Sequence, residues 1–285
     1  MDDPVIRRTE SHFAGGGGRT LFRRAWVPGE AQRLLVLVHG FAEHSGRYED
    51  LGTWFARRSC AVHAFDQQGH GRSDGLRGYV DRFDEFLDDL ASFLELAKSE
   101  HPGLPTYLVG HSMGGLISAA FAQRHHPLLT GLVLSGPLLH PGNEISGVKR
   151  ALARVASRLL PRFQLSQPID GATLSTDPQV GILYAADPLV YSTITLSLGR
   201  ELLDAADRTV TGGADIQVPT LMLHGADDRL CLPSGTEALR QQVVTSGSEM
   251  EIYPGLRHEI FNEPEHEKIF ERVFGWFEAR EEARA

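Results

Sequence analysis

The sequence predicts an α/β fold, with a mostly parallel central sheet covered by helices on both faces and an inserted helical cap. Three observations lead there. Short apolar runs alternate with amphipathic helical stretches along most of the chain. Several of the runs are continuously apolar, as in strands buried on both faces of a parallel sheet. The alternation then breaks once, between Leu138 and about Thr209, and resumes. A chain of 285 residues holds one large domain with an insertion, so the expected division is a core of residues 1–137 and 210–285 around a cap of residues 138–209.

The first two strands, Val5 to Phe13 and Thr20 to Val27, flank Gly15-Gly16-Gly17-Gly18. No Lys-Ser/Thr follows that run and no helix begins there, so it reads as a hairpin turn and not a phosphate cradle. Leu34 to Val38 is the first buried strand and ends in His39-Gly40; a helix over Tyr48 to Arg58 and a strand over Ala61 to Phe65 follow. The loop Asp66 to Ser73 carries glycines, but Asp74 stands where a dinucleotide fingerprint needs glycine. Phe83, Phe86, Leu87, Leu90, Phe93 and Leu94 make one stripe of a helix from Val80 to Lys98. Its acidic residues, Asp81, Asp84, Glu85, Asp88 and Asp89, are expected to face water and complement the helix dipole. Pro105 to Val109 and Gly131 to Ser135 are strands around a helix that ends at His125 and His126, before Pro127.

In the cap, Ile145, Val148, Leu152, Val155 and Leu159 recur at helical spacing. A polar loop with Pro161, Pro168 and Pro178 follows, then a helix from Ile194 to Ala206. Such a stripe either lines a cleft for an apolar substrate or packs on the core. Val218 to Gly225 restores the strand pattern, followed by a helix over Pro233 to Val244, a strand over Glu249 to Tyr253 and an amphipathic terminal helix bearing Ile269, Val273, Trp276 and Phe277.

Gly110-His111-Ser112-Met113-Gly114 lies between an apolar strand and a helix. On a strand–turn–helix this pattern is the nucleophile elbow of the α/β-hydrolases, where flanking glycines make room for close chain segments. A serine hydroxyl needs a base within hydrogen-bond reach and a carboxylate that fixes the base's tautomer. The partners should follow in the order acid, then histidine, on loops after later strands. Of the thirteen histidines, His258 stands in the loop after the last strand; Asp227 and Asp228 both follow an earlier one, and local pattern does not separate them. An oxyanion hole would use the backbone N–H groups of Met113, after the nucleophile, and Phe41, in the loop after His39-Gly40.

Other function classes fit poorly. The formal net charge of −9 disfavours nucleic acid and tight docking on anionic lipid. Neither His39 to His44 nor His258 to Asn262 has the His-Glu-x-x-His spacing, and Cys60 and Cys231 are far apart, so neither a metal nor a disulfide is expected. No cofactor is implied. Met1-Asp2-Asp3-Pro4 leads into no apolar signal region, and with only two cysteines the expected location is cytoplasmic, peripheral to membrane at most.

These motifs resemble those of the monoacylglycerol lipase and lysophospholipase branch of the α/β-hydrolases, grouped with serine aminopeptidase-like hydrolases. His39 to Tyr48 resembles the family's oxyanion loop, Gly69 to Ser73 its following turn, and Gly110 to Gly115 its elbow. Pro168 to Asp170 and Ala186 to Leu189 resemble its cap, Gly225 to Cys231 its acid loop and Tyr253 to His258 its histidine loop. The resemblance implies Asp228 as the acid, three positions after the glycine, and a triad of Ser112, Asp228 and His258. It implies hydrolysis of a lipid ester, with a monoacylglycerol first and a lysophospholipid, short-chain ester or peptide as alternatives, under a cap that opens toward lipid and makes transient membrane contact. A receptor with a vestigial site is the alternative from another class. Glu43 and Arg47 would either orient the polar head of a monoglyceride or pair locally to hold the loop. Ala42 departs from the family, which often has glycine there; alanine would be strained if that position needs positive φ.

Overall fold

The computed structural model describes residues 5–125, 128–142 and 147–283, without the side chains of residues 147–151. Met1 to Pro4, His126, Pro127, Ile145 and the side chain of Val148, named above, lie outside the described residues.

The chain begins with strands β1 (Ile6–Ala14), β2 (Thr20–Pro28) and β3 (Arg33–Val38), then helix α1 (Glu49–Ala56) and β4 (Cys60–Phe65). It continues through α2 (Asp84–Glu100), β5 (Thr106–His111), α3 (Met113–His125) and β6 (Gly131–Ser135). The intervening region holds α4 (Gly147–Leu159), β7 (Gln164–Ser166), α5 (Pro178–Ala186), β8 (Thr193–Thr195) and α6 (Leu196–Thr211). The chain then closes with β9 (Thr220–Gly225), α7 (Pro233–Gln242), β10 (Glu249–Tyr253) and α8 (His266–Glu282).

Among the described residues the main sheet has eight strands in the order β1-β2-β4-β3-β5-β6-β9-β10. β1 and β2 pair antiparallel, β2 joins β4 antiparallel, and every later pairing is parallel. The period of two in each strand sorts side chains between two layers. Leu34, Val36 and Val38 pack with α2, α3 and α6 on one face; Leu35 and Leu37 pack with α1 and α8 on the other. The order reverses about β3, whose neighbours are β4 and β5, so the loops leaving β3 and β5 part at their carboxyl ends and open a crevice.

The predicted strands and core helices are all present, with ends shifted by a few residues. Two features differ. Asp89 does not face water: it is 1% exposed, and its Oδ1 accepts the Gly16 N–H at 2.7 Å, so this helix carboxylate anchors the glycine turn. Burial pushes its pKa up to about 6, against the opposing pull of Arg19. The cap's polar loop also contains α5 and β7, which pairs antiparallel with β8. Asp177 caps α5 through the Gln179 N–H and Pro178 opens it, an N-terminal signature that apolar periodicity alone passes over.

Candidate active site

Ser112 stands between β5 and α3 with φ 54°, a left-handed conformation that costs about 1–3 kcal/mol in a non-glycine residue. The surroundings impose it. The Ser112 N–H donates to Ser135 O at 2.9 Å, and its carbonyl accepts from Leu116 N at 3.1 Å and Leu138 N at 2.9 Å. A Cβ on Gly114 would collide with the Val38 carbonyl, so glycine is required where the elbow crosses β3. Ala42 is also left-handed, at φ 61°, so the residue that departs from the family's glycine occupies the conformation glycine favours.

His258 and Asp228 meet at the same end of the sheet. His258 Nδ1 lies 2.7 Å from Asp228 Oδ2, a bond between groups 30 residues apart. A carboxylate only accepts, so Nδ1 carries the proton and Nε2 is left as an acceptor. Asp228 Oδ1 accepts the N–H groups of Leu230 (2.8 Å) and Cys231 (2.9 Å). Oδ2 is shared with a second imidazole, His224, whose Nε2 is 3.0 Å away. Burial would raise the Asp228 pKa, but the charge of His258 and these hydrogen bonds hold it well below the usual carboxylate range. Burial would likewise lower His258, and Asp228, then Glu259 and Glu43, outweigh it and raise its pKa above 6.5. The neighbouring His111 ring, 4.8 Å from that of His258, is pushed down to about 4 by burial and by His258 and stays neutral. Ser112 and His258 face one cavity of about 350 Å³; Ser112 Oγ also lies 4.0 Å from Cys231 Sγ.

Glu43 and Arg47 line this cavity too, and they are joined to each other. Glu43 Oε1 accepts from Gly40 N (2.5 Å) and the Tyr48 hydroxyl (2.7 Å), while Oε2 accepts from Arg47 Nη1 at 2.8 Å. Arg47 also forks onto Glu259, with Nη1 to Oε1 at 2.6 Å and Nη2 to Oε2 at 2.8 Å. Burial pushes Glu43 up, but Arg47 overrides it and brings its pKa down to about 2. Burial opposes the charge on Arg47, and the two carboxylates reverse that and raise its pKa. Glu259 was not anticipated: it stands 212 residues from Arg47, and only its place beside His258 hinted at it. Phe41 lines the cavity, and Met113 is buried at the start of α3.

The roof comes from the cap, whose Ile169, Leu174, Ile194, Leu202 and Leu203 give an apolar lining. Tyr184 joins them with its ring 4.9 Å from the Arg47 guanidinium, and its buried hydroxyl has no hydrogen-bond partner among the described residues. The histidine loop is tied to this roof. Arg257 Nη1 donates to the carbonyls of Ala172 (2.7 Å) and Ser175 (2.8 Å). Glu263, fully buried, accepts from Arg257 N, Ser175 Oγ and Thr176 N.

The family model described as serine aminopeptidase, S33, matches residues 29–265. The chain belongs to this hydrolase family. Over 271 residues it is 35% identical to a monoacylglycerol lipase of Mycolicibacterium smegmatis, covering 94% of this chain and 96% of that one. It is 34% identical to human monoglyceride lipase, covering 94% and 90%. The crystal structure of a monoacylglycerol lipase from Paleococcus ferrophilus superposes with a TM-score of 0.81 at 30% identity, covering 97% of this chain and 99% of that one. A monoglyceride lipase from Saccharomyces cerevisiae has the same fold, with a TM-score of 0.85 at 23% identity over 98% and 96%. Together with these lipase relatives, membership makes the chain a monoacylglycerol lipase-like serine hydrolase acting on carboxylic esters.

Elsewhere in the fold, His63, Glu100 and His101 hold ligand-type atoms within 4.8 Å of one another, a grouping the sequence did not suggest. The two imidazole Nε2 atoms lie 2.9 Å apart and share a hydrogen bond, and Glu100 Oε1 accepts from Arg23 Nη2 at 2.6 Å. A guanidinium already balances that carboxylate, so the group is accounted for without an ion. No helix among the described residues is long and apolar enough to cross a membrane.

Proposed function

We propose that the protein is a serine esterase that hydrolyses monoacylglycerols to glycerol and free fatty acid, with Ser112, Asp228 and His258 as its triad. The observation that carries this reading is the meeting of three features at one cavity: a strained serine on an elbow, an imidazole whose tautomer a buried carboxylate fixes, and an apolar roof. Ser112 Oγ turns toward His258 Nε2, gives up its proton and attacks the ester carbonyl. The Phe41 and Met113 N–H groups hold the resulting oxyanion. His258 passes the proton to the departing glycerol oxygen, leaving an acyl-serine, and water releases the fatty acid by the same steps.

Residues 138–209 form the cap, with α6 as the arm that returns to the core. The pocket's polar end suits a glycerol head: the unpartnered Tyr184 hydroxyl is available to it, whereas the bonds Glu43 and Arg47 make with each other, Tyr48 and Glu259 suit a role in holding the oxyanion loop. Leu152, Val155 and Leu159 are exposed along α4, beside Arg154 and Arg158, which suits transient contact with a lipid surface.

The test is glycerol release from a chain-length series of monoacylglycerols, beside lysophosphatidylcholine and p-nitrophenyl butyrate. Monoacylglycerols should be the best substrates, and Ser112→Ala should lower turnover by about 10⁴-fold or more with the fold intact. Retained activity in that variant overturns the triad. A preference for lysophospholipid overturns the substrate, and monoglyceride binding without turnover by the wild type favours a receptor.

A further inference from the structure

His224 is the penultimate residue of β9 and is completely buried. The triad chemistry does not use it, yet its ring is fixed at both nitrogens. Nε2 lies 3.0 Å from Asp228 Oδ2 and 2.8 Å from the Cys231 carbonyl oxygen, and Nδ1 lies 2.8 Å from Thr236 Oγ1 on α7. Neither of the first two atoms can donate, so Nε2 must carry a proton and be shared between them. The Thr236 hydroxyl holds the Nδ1 side of the ring.

We infer that His224 is a positioning residue for the acid of the triad: its Nε2–H clamps Asp228 Oδ2 and the Cys231 carbonyl together, aiming the carboxylate at His258. This rests on the function proposed above. Four N–H groups converge on one buried carboxylate, from Leu230, Cys231, His224 and His258. The two backbone donors on Oδ1 leave the carboxylate free to tilt about that end. His224 approaches Oδ2 from the β9 side and removes the freedom. The same bond holds the turn that carries Cys231, whose Sγ lies 4.0 Å from Ser112 Oγ, so acid loop and nucleophile share one support. His224 also moderates the pull on the base, because it takes part of the electron density of the oxygen that His258 Nδ1 uses. His258 is otherwise faced by Glu259 and Glu43, which raise its basicity, and by the neutral His111.

Two variants separate the arms of the ring. Glutamine places its amide nitrogen near the position of Nε2, and asparagine near that of Nδ1. In His224→Gln, kcat for p-nitrophenyl butyrate should stay within about threefold of wild type. In His224→Asn it should fall by about tenfold or more with KM unchanged, and the acid limb of kcat/KM should move to higher pH, because a less well-stabilised carboxylate draws the His258 proton harder. Equal losses in the two variants, or an unmoved acid limb in His224→Asn, overturn the assignment. Thr236→Val, which removes the bond that orients the ring from its Nδ1 side and so loosens the Asp228 clamp, covers the case in which asparagine prevents folding: it should lower kcat in the same direction by a smaller factor, and an unchanged kcat overturns the assignment. An NMR titration of the His258 ring in the Ser112→Ala background reads the same shift without turnover. If the wild type hydrolyses no ester, the proposed function fails while this titration still decides the role of His224.

Discussion

The floor and the roof of the cavity are built on opposite principles. The floor is polar, buried and cross-linked: Asp228 takes four N–H donors, and Arg47 is clasped between Glu43 and Glu259. The outer roof is apolar and exposed, with Leu152 65% and Leu159 75% accessible on α4, tied to α6 by an ion pair between Arg154 and Asp204. A group that must hold a geometry to a fraction of an ångström is fixed by directional bonds whose loss leaves buried charge. A surface that meets fluid acyl chains needs area and little direction. Damage to the floor should therefore show in stability and chemistry, and damage to the roof in access to aggregated substrate.

The largest effect is expected from Arg47→Ala. It leaves the carboxylates of Glu43 and Glu259 buried without their cation, which should cost about 3–5 kcal/mol in denaturant unfolding. A loss below about 1 kcal/mol would mean that solvent reaches this cluster and that the floor is softer than its burial implies. Next is the pH dependence. Because His258 titrates above 6.5, kcat/KM should fall about tenfold per unit below its raised pKa. The two members of the pair act on stability at opposite ends of the scale. Folding raises the His258 pKa, so its contribution is complete below about 6.5 and is lost as pH rises through the folded value. Folding lowers the Asp228 pKa, so its contribution is present above about 3.9 and is lost as pH falls through the folded value. Melting temperatures measured from pH 3 to 9 test both signs.

On the roof, Leu152→Glu combined with Leu159→Glu should lower activity on monoacylglycerol in vesicles by about tenfold. Turnover of soluble p-nitrophenyl butyrate and the melting temperature should not change. Equal loss on both substrates would show that α4 shapes the site itself. The smallest effect is expected from Ala42→Gly. Relief of the left-handed alanine and the greater freedom of glycine in the unfolded chain nearly offset, leaving a gain below about 1 kcal/mol by thermal unfolding.

The same contrast explains what could be read from the sequence. The sheet was legible because Leu34 to Val38 and its counterparts are apolar on both faces, and the elbow because Gly110 and Gly114 answer a local steric demand. Ser112 and His258 were singled out because each follows a strand in a fixed order, whereas strand order left Asp227 and Asp228 together and only the family resemblance chose Asp228. The partners that hold these residues were not legible. Glu259 reaches Arg47 across 212 residues, and His224 looks like any polar residue near the end of a strand until Thr236 and Cys231 fold back on it. Asp89 was read as solvated because helix periodicity does not reveal that a glycine turn will pack over one carboxylate. In the cap, α5 shows little segregation of apolar side chains, so only its Asp177-Pro178 start marks it.

The grip of Arg257 and Glu263 on residues 172–176 has a consequence for how such an enzyme can be changed. It divides the region above the cavity into a part tied to the loop of His258 and a part outside that grip. Helix α4 lies outside the gripped segment, so changes on its exposed apolar face leave the seat of the histidine loop in place. What the protein meets at its mouth is thereby separated from the bonds that seat the histidine loop.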